Sequence, residues 1–454
     1  MASKLEAFKE NIAGKRVSVM GIGVSNKPLI KMLLECGAQV VARDRREDIT
    51  SDFMPLIKMG ARFVLGEKYL ENIEADVIFR TPGMRPDLPE LVEAKKQGAK
   101  ITSEMELFFE LCPCKIIGIT GSDGKTTTST LIYNLLTEEG YTCHLGGNIG
   151  TPLLPQIETI EKSDFAIVEL SSFQLMTMKK SPNISVITNI TPNHLDMHKD
   201  MQEYIDAKKN IFLHQTKTAK IILNADDETL VPFVDEAKGD VITFSKSEDK
   251  GATVYLKDEE IWYGDTPLIN KNDITIPGMH NVENFMAAIA AVNKFVKPAT
   301  IRAVAKNFGG VEHRIEYVRE VDGVKFYNDS IASSPTRTRA GLYSFNQKVI
   351  LIAGGYDKKI PFDQLGEDIA KRVKRLYVLG DTADKIKDAV IEAGGGRKPM
   401  PIVKFPTLER AVKEAYMAAE AGDVVLLSPA CASFDMFKNF EERGKRFKEI
   451  VRGL

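Results

Sequence analysis

The sequence predicts an α/β protein whose mostly parallel sheets are covered by helices. Strand-sized apolar runs alternate with helical stretches along the whole chain, and this rhythm is typical of that class. A length of 454 residues is too great for one ordinary hydrophobic core, so we expect about three domains. Neither a short-period repeat nor a low-complexity segment interrupts the pattern.

The predicted elements fall into three consecutive segments. In the first segment we predict a helix from about 27 to 35 and strands at 16–20, 39–43 and 76–79. The middle segment begins near 104, with strands at 115–120, 165–169, 184–188 and 220–223. The last segment begins near 311, with strands at 348–353, 375–379 and 423–427.

Composition excludes several classes of protein. The formal charge of −2 argues against a strong non-specific attraction to nucleic acid. The chain begins without the pattern of a secretory signal, and no apolar run is long enough to span a bilayer, so we expect no membrane insertion. The five cysteines form no regular framework, and Cys112-Pro-Cys114 lacks the second pair of a zinc ribbon. We expect buried or merely tolerated thiols and a cytoplasmic location.

The most specific local motif is the glycine-rich run at 120–127, which we call the phosphate loop. It lies between an apolar strand and a helix that runs to about Glu139, so its backbone N–H groups can surround phosphates at a helix N-terminus. Lys125 would reach the β- and γ-phosphates of ATP, and the Thr126 hydroxyl would hold Mg²⁺. Ile119 stands where the general pattern has its first glycine. The alternative is a chance Gly-Lys-Thr at a helix start, which the flanking strand and helix disfavour.

A second glycine-rich turn, at 21–26, carries less information. Asn26 occupies the position of the third glycine in a dinucleotide-binding loop, while Asp44 ends the second strand where such a fold places a ribose-binding acid. A nicotinamide site, another nucleotide site and a simple sheet turn remain equally open from these residues.

Polar residues gather at the predicted carboxyl ends of the middle strands, where open α/β sheets bind ligands. Glu169 is a candidate Mg²⁺ ligand or a capping acid, and Asn148 lies in a turn-rich loop. His194 is a candidate for metal or phosphate, although Pro192 and the residues up to His198 argue against zinc. From its helical stretch alone, Lys208 is predicted to be a solvated lysine.

The last segment has polar runs beside its strands, at 312–314, 327–330, 354–358 and 428–433. The last two of these runs follow strand ends, so a second ligand site is plausible there. Tight turns between sheet and helix are an equally good interpretation.

Taken together, these pieces resemble the Mur ligases, in order and over essentially the whole chain. The resemblance rests on the runs at 121–127, 146–150, 169–174, 280–284, 313–314 and 328–330. The closing runs at 427–435 and 437–444 are most similar to the members that add D-glutamate, and the Asp-Asn-Pro-Arg run of the diaminopimelate- or lysine-adding members is missing.

The resemblance implies three domains: a Rossmann-like UDP-binding domain at 1–103, a central P-loop ATPase with a mostly parallel sheet at 104–310, and a C-terminal Rossmann-like amino-acid-binding domain at 311–454. It also implies three sets of binding residues. The UDP-substrate set is Gly23, Val24, Ser25, Asp44, Arg45, Asn148 and His194. The ATP set is Gly121, Ser122, Asp123, Gly124, Lys125, Thr126, Thr127, Asn284, Arg314 and Asp329. The amino-acid set is Ser333, Lys358, Ser433 and Phe440.

For catalysis, the resemblance implies roles for Lys125, His194 and Lys208, with two Mg²⁺ ions held by Thr126, Glu169, His194 and Lys208. Lys208 matches the family lysine that is carbamylated by CO₂, a change that turns a cation into an anion able to sit beside metal ions. Two departures from the family stand out. Ile331 replaces a lysine, and Asp123 replaces the usual asparagine of the phosphate loop.

The activity implied is the ATP-dependent ligation of D-glutamate to UDP-N-acetylmuramoyl-L-alanine, through an acyl phosphate, by a cytoplasmic monomer. Closure of the domains would bring the substrates together. A nicotinamide-dependent oxidoreductase is a rival that leaves the phosphate loop idle, and an ATP-driven switch protein is a rival that needs no small-molecule substrate. Ligases for another amino acid, including folate polyglutamation, are nearer competitors.

Overall fold

The computed structural model describes residues 4–192 and 197–454. It confirms the predicted α/β class with mostly parallel sheets. The chain divides into two compact units, with unit 1 comprising Met1–Ile269 and Glu283–Val304 and unit 2 comprising Asn270–Val282 and Ala305–Leu454. Unit 1 holds two sheets and unit 2 holds one.

The first sheet of unit 1 has five parallel strands in the order β3-β2-β1-β4-β5. Its strands are β1 (Arg16–Met20), β2 (Gln39–Asp44), β3 (Arg62–Leu65), β4 (Val77–Arg80) and β5 (Lys100–Thr102). The accompanying helices are α1 (Lys4–Ile12), α2 (Asn26–Glu35), α3 (Met54–Lys58), α4 (Pro89–Lys96) and α5 (Glu104–Leu111).

The second sheet of unit 1 has nine strands in the order β14-β13-β12-β11-β10-β9-β6-β8-β7. Its strands are β6 (Lys115–Thr120), β7 (Cys143–Gly147), β8 (Phe165–Glu169), β9 (Ile184–Ile187), β10 (Lys220–Asn224), β11 (Asp240–Ser245), β12 (Val254–Lys257), β13 (Glu260–Tyr263) and β14 (Thr266–Asn270). The helices that follow are α6 (Lys125–Glu139), α7 (Ser172–Leu175), α8 (Met201–Lys209), α9 (Phe233–Glu236), α10 (Met279–Val292) and α11 (Pro298–Asn307).

Unit 2 is built on six strands in the order β15-β16-β20-β17-β18-β19, all parallel except the β15–β16 hairpin. They are β15 (Glu316–Val321), β16 (Val324–Asn328), β17 (Val349–Gly354), β18 (Val373–Leu379), β19 (Ile402–Lys404) and β20 (Val424–Leu427). The helices are α12 (Pro335–Tyr343), α13 (Asp363–Arg372), α14 (Ala383–Ala393), α15 (Leu408–Met417) and α16 (Phe440–Arg452).

Side-chain capping fixes where several of these helices begin. The Ser103 hydroxyl accepts from the Glu106 N–H at the start of α5, and the Asp200 carboxylate accepts from the Glu203 N–H at the start of α8. Such caps satisfy N–H groups that have no partner inside the helix. Across the described residues, no helix is long and apolar enough to cross a membrane.

The strands predicted from apolar runs are present, with ends that differ by one or two residues. The prediction missed the strands that lack a continuous apolar run, among them the antiparallel strands β12 and β13. Each of the three sheets lies within one of the predicted domains, while the domain boundaries themselves stay a prediction. All five cysteines are free thiols, three buried and two half-buried, as expected.

Candidate active site

The candidate site of unit 1 lies at the carboxyl edge of the nine-stranded sheet. Strands β9, β6, β8 and β7 are neighbours there and run parallel, so the loops after them meet at one edge. The phosphate loop follows β6, Glu169 ends β8, Asn148 follows β7, and Thr188 follows β9. The polar groups at the ends of β6 and β8 were predicted from the sequence, whereas β7, the strand that precedes Asn148, was not.

The phosphate loop requires glycine at its last position before α6. Gly124 has a φ of +79°, and a Cβ built on it would lie 2.3 Å from the Asn284 Oδ1. The same amide oxygen accepts from the Thr128 hydroxyl at 3.2 Å. Asn284, predicted to contact ATP, thus lies directly beside the loop, and no other residue fits at 124 without displacing it.

The loop after β9 holds the phosphate loop in place. The Asn189 Oδ1 accepts from the Asp123 N–H at 2.9 Å, and the Thr188 hydroxyl donates to the Asp123 carbonyl at 2.6 Å. The Ser122 hydroxyl donates to the Thr191 carbonyl and lies 2.9 Å from the Tyr204 hydroxyl. None of these supporting residues except Ser122 and Asp123 was singled out from the sequence.

Two lysines converge on one carbonyl of the phosphate loop. The Lys125 Nζ donates to the Gly121 carbonyl at 2.9 Å and to the Ser122 carbonyl at 2.8 Å. The Lys208 Nζ donates to the same Gly121 carbonyl at 2.8 Å and to the Thr120 hydroxyl at 3.3 Å. Both amines therefore lie against the phosphate loop, and Lys125 is the candidate contact for the phosphates of a nucleotide.

Lys208 is not the solvated lysine that its pattern predicted, because only 1% of its surface is exposed. Burial lowers the pKa of its amine well below the usual range, and the charge of Lys125 lowers it further, while Asp123 and Glu169 act in the opposite direction. The tertiary fold causes this burial, since α8 brings the lysine against the phosphate loop. Its neighbour Lys209 instead forms an ion pair with Glu236.

Glu169 presents a buried carboxylate beside these lysines. Its Oε1 accepts from the Asn148 Nδ2 at 3.0 Å, so two of the predicted residues are in direct contact. Its Oε2 is buried and has no hydrogen-bond partner among the residues that the structure describes. A buried carboxylate oxygen without a partner is costly, and a bound cation would satisfy it.

The remaining predicted metal ligands are only partly visible. Thr126 is the second residue of α6 and has a half-buried side chain. His194 lies outside the described residues, so its predicted roles stay predictions. Within 4–192 and 197–454, no group of three or more His, Cys, Asp or Glu side chains is arranged to hold a metal ion.

A small pocket of about 90 Å³ opens beside the first glycine turn of unit 1. The predicted residues Gly23, Val24 and Ser25 line it, together with residues from the loops after β4 and β5. Arg80 also lines this pocket and is the main pocket residue that was not singled out from the sequence. Its guanidinium is 1% exposed and donates to three carbonyls of its own loop and to the Thr177 hydroxyl.

Asp44 and Arg45 do not line this pocket. Burial opposes the charge of Asp44, but N–H groups of Arg46 and Ile22 donate to its carboxylate and lower its pKa overall. The carboxylate therefore ties the glycine turn to the end of β2. Arg45 is exposed beside it.

In unit 2, three loops meet at the carboxyl ends of the neighbouring strands β16, β20 and β17. Arg443 joins two of them, since its buried guanidinium donates to the hydroxyl and the carbonyl of Ser330 and to the carbonyls of Cys431 and Ala432. The third loop is attached by the Tyr356 N–H, which donates to the Ala432 carbonyl at 2.9 Å. Arg443 could be recognised in sequence only within the run at 437–444.

The four residues predicted for the amino acid lie on or beside these loops. The Lys358 Nζ donates to the Ser333 carbonyl at 3.5 Å, which brings those two together. The Phe440 carbonyl accepts from the Ser330 hydroxyl at 2.8 Å. Ser433 is buried, and its carbonyl accepts from backbone N–H groups of its own loop rather than from the other three residues.

Asp329 is the most perturbed acid of unit 2. Burial raises its pKa to about 7, although the Ser428 hydroxyl and the Ile315 N–H donate to the carboxylate. Arg314 and Arg337 lower that pKa through their charges. Ile331, where the family lysine was expected, donates its N–H to the His313 carbonyl, and its own carbonyl accepts from Arg337 at 3.3 Å.

A glycine-rich turn between a buried parallel strand and a helix, with two lysines against it, defines an α/β protein that binds a nucleoside triphosphate. Family comparison agrees with this class. The model described as the Mur ligase middle domain matches residues 119–292, and the model of the Mur ligase, glutamate ligase domain matches residues 313–431. The chain belongs to the Mur ligase family.

Curated relatives extend over the full length of the chain. A protein of Acetivibrio thermocellus, named UDP-N-acetylmuramoylalanine--D-glutamate ligase, is 56% identical over 100% of both chains. Proteins with the same name from Ruminiclostridium cellulolyticum and Clostridium botulinum are each 52% identical, again over 100% of both chains.

Solved structures support the fold alone. The UDP-N-acetylmuramate-alanine ligase MurC of Thermotoga maritima matches with a TM-score of 0.58 at 18% identity, covering 97% of this chain and 99% of that one. The MurF ligase of Thermotoga maritima in complex with ADP matches with a TM-score of 0.56 at 18% identity, covering 98% and 97%.

Proposed function

We propose that this protein ligates the amino group of D-glutamate to the L-alanyl carboxylate of UDP-N-acetylmuramoyl-L-alanine, converting ATP to ADP and phosphate, in peptidoglycan precursor synthesis. The observation that carries the proposal is the 56% identity, over both full lengths, with a relative named for this ligation. The phosphate loop supports the ATP-dependent part independently, since Lys125 lies against a glycine-rich turn at the N-terminus of α6.

The chemistry requires activation of a carboxylate, which resists attack by an amine because its charge and resonance make it a poor electrophile. Transfer of the γ-phosphoryl group of ATP to the L-alanyl carboxylate gives an acyl phosphate and ADP. The D-glutamate amine then attacks the carbonyl carbon, and phosphate leaves as the amide forms. Catalysis of such a transfer is mostly positioning and neutralisation of charge.

In this scheme the phosphate loop binds ATP through Gly121 to Thr127 and the N-terminus of α6. Lys125 already lies over the loop, 2.9 Å from the Gly121 carbonyl, and needs only to change partner to reach a phosphate. Asn284 packs against the same loop. Arg314 and Asp329 of unit 2 are proposed as further ATP residues from the family resemblance.

The oxygen atoms of Thr126 and Glu169 suit Mg²⁺, which prefers oxygen ligands and usually keeps water and substrate phosphates as the others. The buried Glu169 Oε2, which lacks a hydrogen-bond partner among the described residues, supports this fit. Bound there, Mg²⁺ would neutralise the charge that develops on the transferred phosphoryl group. Two ions, with His194 and Lys208 among their ligands, are proposed from the resemblance.

A carbamate on Lys208 reconciles this lysine with a neighbouring cation. Burial and the charge of Lys125 lower the pKa of this amine, which favours the unprotonated form that attacks the carbon of CO₂. The new N–C bond gives a carbamate and releases one proton, so the side chain becomes an anion. The Thr120 hydroxyl accepts from the amine at 3.3 Å and donates to the Leu170 carbonyl at 2.8 Å, so it fixes the position of the lysine.

The UDP part of the substrate is proposed to bind at Gly23, Val24 and Ser25, with Asp44 and Arg45 nearby and Asn148 toward the reacting carboxylate. The pocket of about 90 Å³ beside the first glycine turn supports the first three. The Asp44 carboxylate accepts from the N–H groups of Ile22 and Arg46. We therefore propose that it positions the glycine turn in addition to contacting the substrate.

D-Glutamate is proposed to bind at Ser333, Lys358, Ser433 and Phe440, on the loops that Arg443 holds together. Because Ile331 supplies no charge, we propose that Arg337 provides the missing cation. Arg337 is exposed and donates to the Ile331 carbonyl at 3.3 Å. Its charge lowers the pKa of Asp329.

The three domains are proposed at 1–103, 104–310 and 311–454, each with one sheet. A cytoplasmic monomer is proposed from the family resemblance.

The test is the fate of oxygen in the reaction. Purified protein is given Mg²⁺, ATP, D-glutamate and UDP-N-acetylmuramoyl-L-alanine labelled with ¹⁸O in the L-alanyl carboxylate. The proposal predicts ADP and an orthophosphate that carries one labelled oxygen. AMP and pyrophosphate as products, or unlabelled phosphate, would contradict the acyl-phosphate route.

A further inference from the structure

A pair of thiols lies just before the first residue of β6, at the end of the strand away from the phosphate loop. Cys112 follows the last residue of α5 and Cys114 precedes the first residue of β6, with Pro113 between them. Their Sγ atoms are 3.4 Å apart, and both side chains are buried. The proposed ligase chemistry uses neither thiol.

The local backbone explains why the two side chains meet. A residue before proline is confined to extended conformations, and Cys112 has φ −54° and ψ 123°. Residues two apart in an extended chain point to the same side and lie at most about 7 Å apart at Cα. That Cα spacing is near the upper limit for a disulfide. Because an S–S bond is about 2.05 Å long, the two sulfurs, now 3.4 Å apart, must approach each other by about 1.4 Å.

The thiols are buried in the protein but not sealed from small molecules. Both line a cavity of about 340 Å³, whose wall also carries Lys4, Lys179 and Lys180. All three lysines are exposed, so the cavity reaches solvent. Cys431, in contrast, is enclosed in the core of unit 2.

We propose that Cys112 and Cys114 form a reversible modification site, at which a low-molecular-weight disulfide oxidises the two thiols to an intramolecular disulfide. The inference is independent of the proposed ligase function, because it concerns only these thiols and their cavity.

The reaction takes place in two exchanges. The Cys112 thiolate attacks one sulfur of the oxidant, a mixed disulfide forms, and the first oxidant thiol leaves with the proton from Cys112. The Cys114 sulfur then attacks the Cys112 sulfur, the mixed disulfide breaks, and the second oxidant thiol leaves with the proton from Cys114. Two protein thiols are oxidised and one disulfide is reduced to two thiols.

The order of attack follows from the charges around the pair. Either thiol could donate across the 3.4 Å between the sulfurs. With Cys114 as the donor, this hydrogen bond and the charge of Lys4 lower the pKa of the Cys112 thiol in spite of its burial. The same hydrogen bond and burial raise the pKa of Cys114. Cys112 is therefore the nucleophile and Cys114 the resolving thiol.

The small ring would make the disulfide easy to reduce, because strained disulfides have more oxidising potentials. A reducing compartment would keep the pair open and oxidative conditions would close it. α5 also connects this pair with Glu104 and Met105, which line the pocket beside the first glycine turn.

The experiment uses the full-length native protein and oxidised glutathione. After exposure the protein is quenched in acid, denatured, labelled with N-ethylmaleimide and digested with trypsin. We expect the peptide 101–115 to carry no label and to have lost two hydrogens, and dithiothreitol to restore both labels. Cys431→Ser should behave as wild type.

The Cys114→Ser variant distinguishes the two exchanges, since it should accumulate a glutathione adduct on Cys112 that wild type does not. The proposal is wrong if the wild-type peptide keeps two labels under an excess of oxidant. It is equally wrong if the peptide closes only when urea has unfolded the protein, or if the Cys114→Ser variant forms no adduct.

Discussion

Glu104 offers a sharp test of how burial controls charge in unit 1. It is the first residue of α5, 7% exposed, and its Oε1 has no hydrogen-bond partner among the described residues. Burial raises its pKa to about 7 from an ordinary 4.5, although the Leu154 N–H donates to the carboxylate. The Glu104→Gln substitution keeps the shape of the side chain and removes its titration.

The sign of the effect follows from linkage. Because the pKa is higher in the folded protein, folding favours the protonated acid, and this stabilisation is complete below pH 4.5 and lost as the pH rises through 7. A rise in the pKa from 4.5 to about 7 is worth about 3.4 kcal/mol at most. Glutamine has no charge to bury, so the variant should not lose this stability.

Trp262 is the single tryptophan of the chain and belongs to unit 1, so its fluorescence reports on the unit that contains Glu104. In urea titrations between pH 5 and pH 8, the wild type should lose about 2 to 3 kcal/mol more unfolding free energy than Glu104→Gln. Glu110→Gln, on the same helix but with 38% of its side chain exposed, should follow the wild type. Equal pH dependence in wild type and Glu104→Gln would refute the reasoning.

Three further variants test the proposed sites. Lys208→Ala should lower kcat by at least about 100-fold and be partly rescued by acetate, which replaces the carbamate, whereas Lys209→Ala should retain activity in the same ADP-release assay. Arg337→Gln should raise KM for D-glutamate about tenfold, the cost of one charge-assisted hydrogen bond, with KM for ATP unchanged. Arg443→Met should destabilise unit 2 by about 3 kcal/mol in calorimetry, because it leaves buried carbonyls of two loops unsatisfied. Full activity of Lys208→Ala, an unchanged KM or an unchanged unfolding transition would each contradict its prediction.

The sequence was sufficient for the parts of the fold that local patterns encode. Continuous apolar runs such as 115–120 and 165–169 became β6 and β8 because strands buried on both faces need apolar residues throughout. The phosphate loop was equally visible, since its glycines and its lysine have fixed positions relative to strand and helix. Strands β12 and β13 were missed because they form an antiparallel ribbon with half-exposed residues and no such run.

Residues whose role depends on tertiary contacts could not be predicted from their own neighbours. Lys208 has the sequence environment of a surface helix and becomes buried only because α8 packs against the phosphate loop. Arg80 and Arg443 are charged residues with almost no exposed surface. Arg80 donates to carbonyls of its own turn, and Arg443 donates to carbonyls of loops that are distant in sequence. Resemblance to a family identified Lys208, but it gave no reason for the burial that the structure explains.

The central claim is that D-glutamate and UDP-N-acetylmuramoyl-L-alanine are joined at the expense of ATP. The most direct measurement is ADP release by the purified protein with Mg²⁺, ATP and the nucleotide sugar, comparing D-glutamate with L-glutamate, L-lysine and glycine. The account predicts release that requires the nucleotide sugar and, among the four amino acids, occurs with D-glutamate. Release with another amino acid in place of D-glutamate, or release that needs neither substrate, would contradict it.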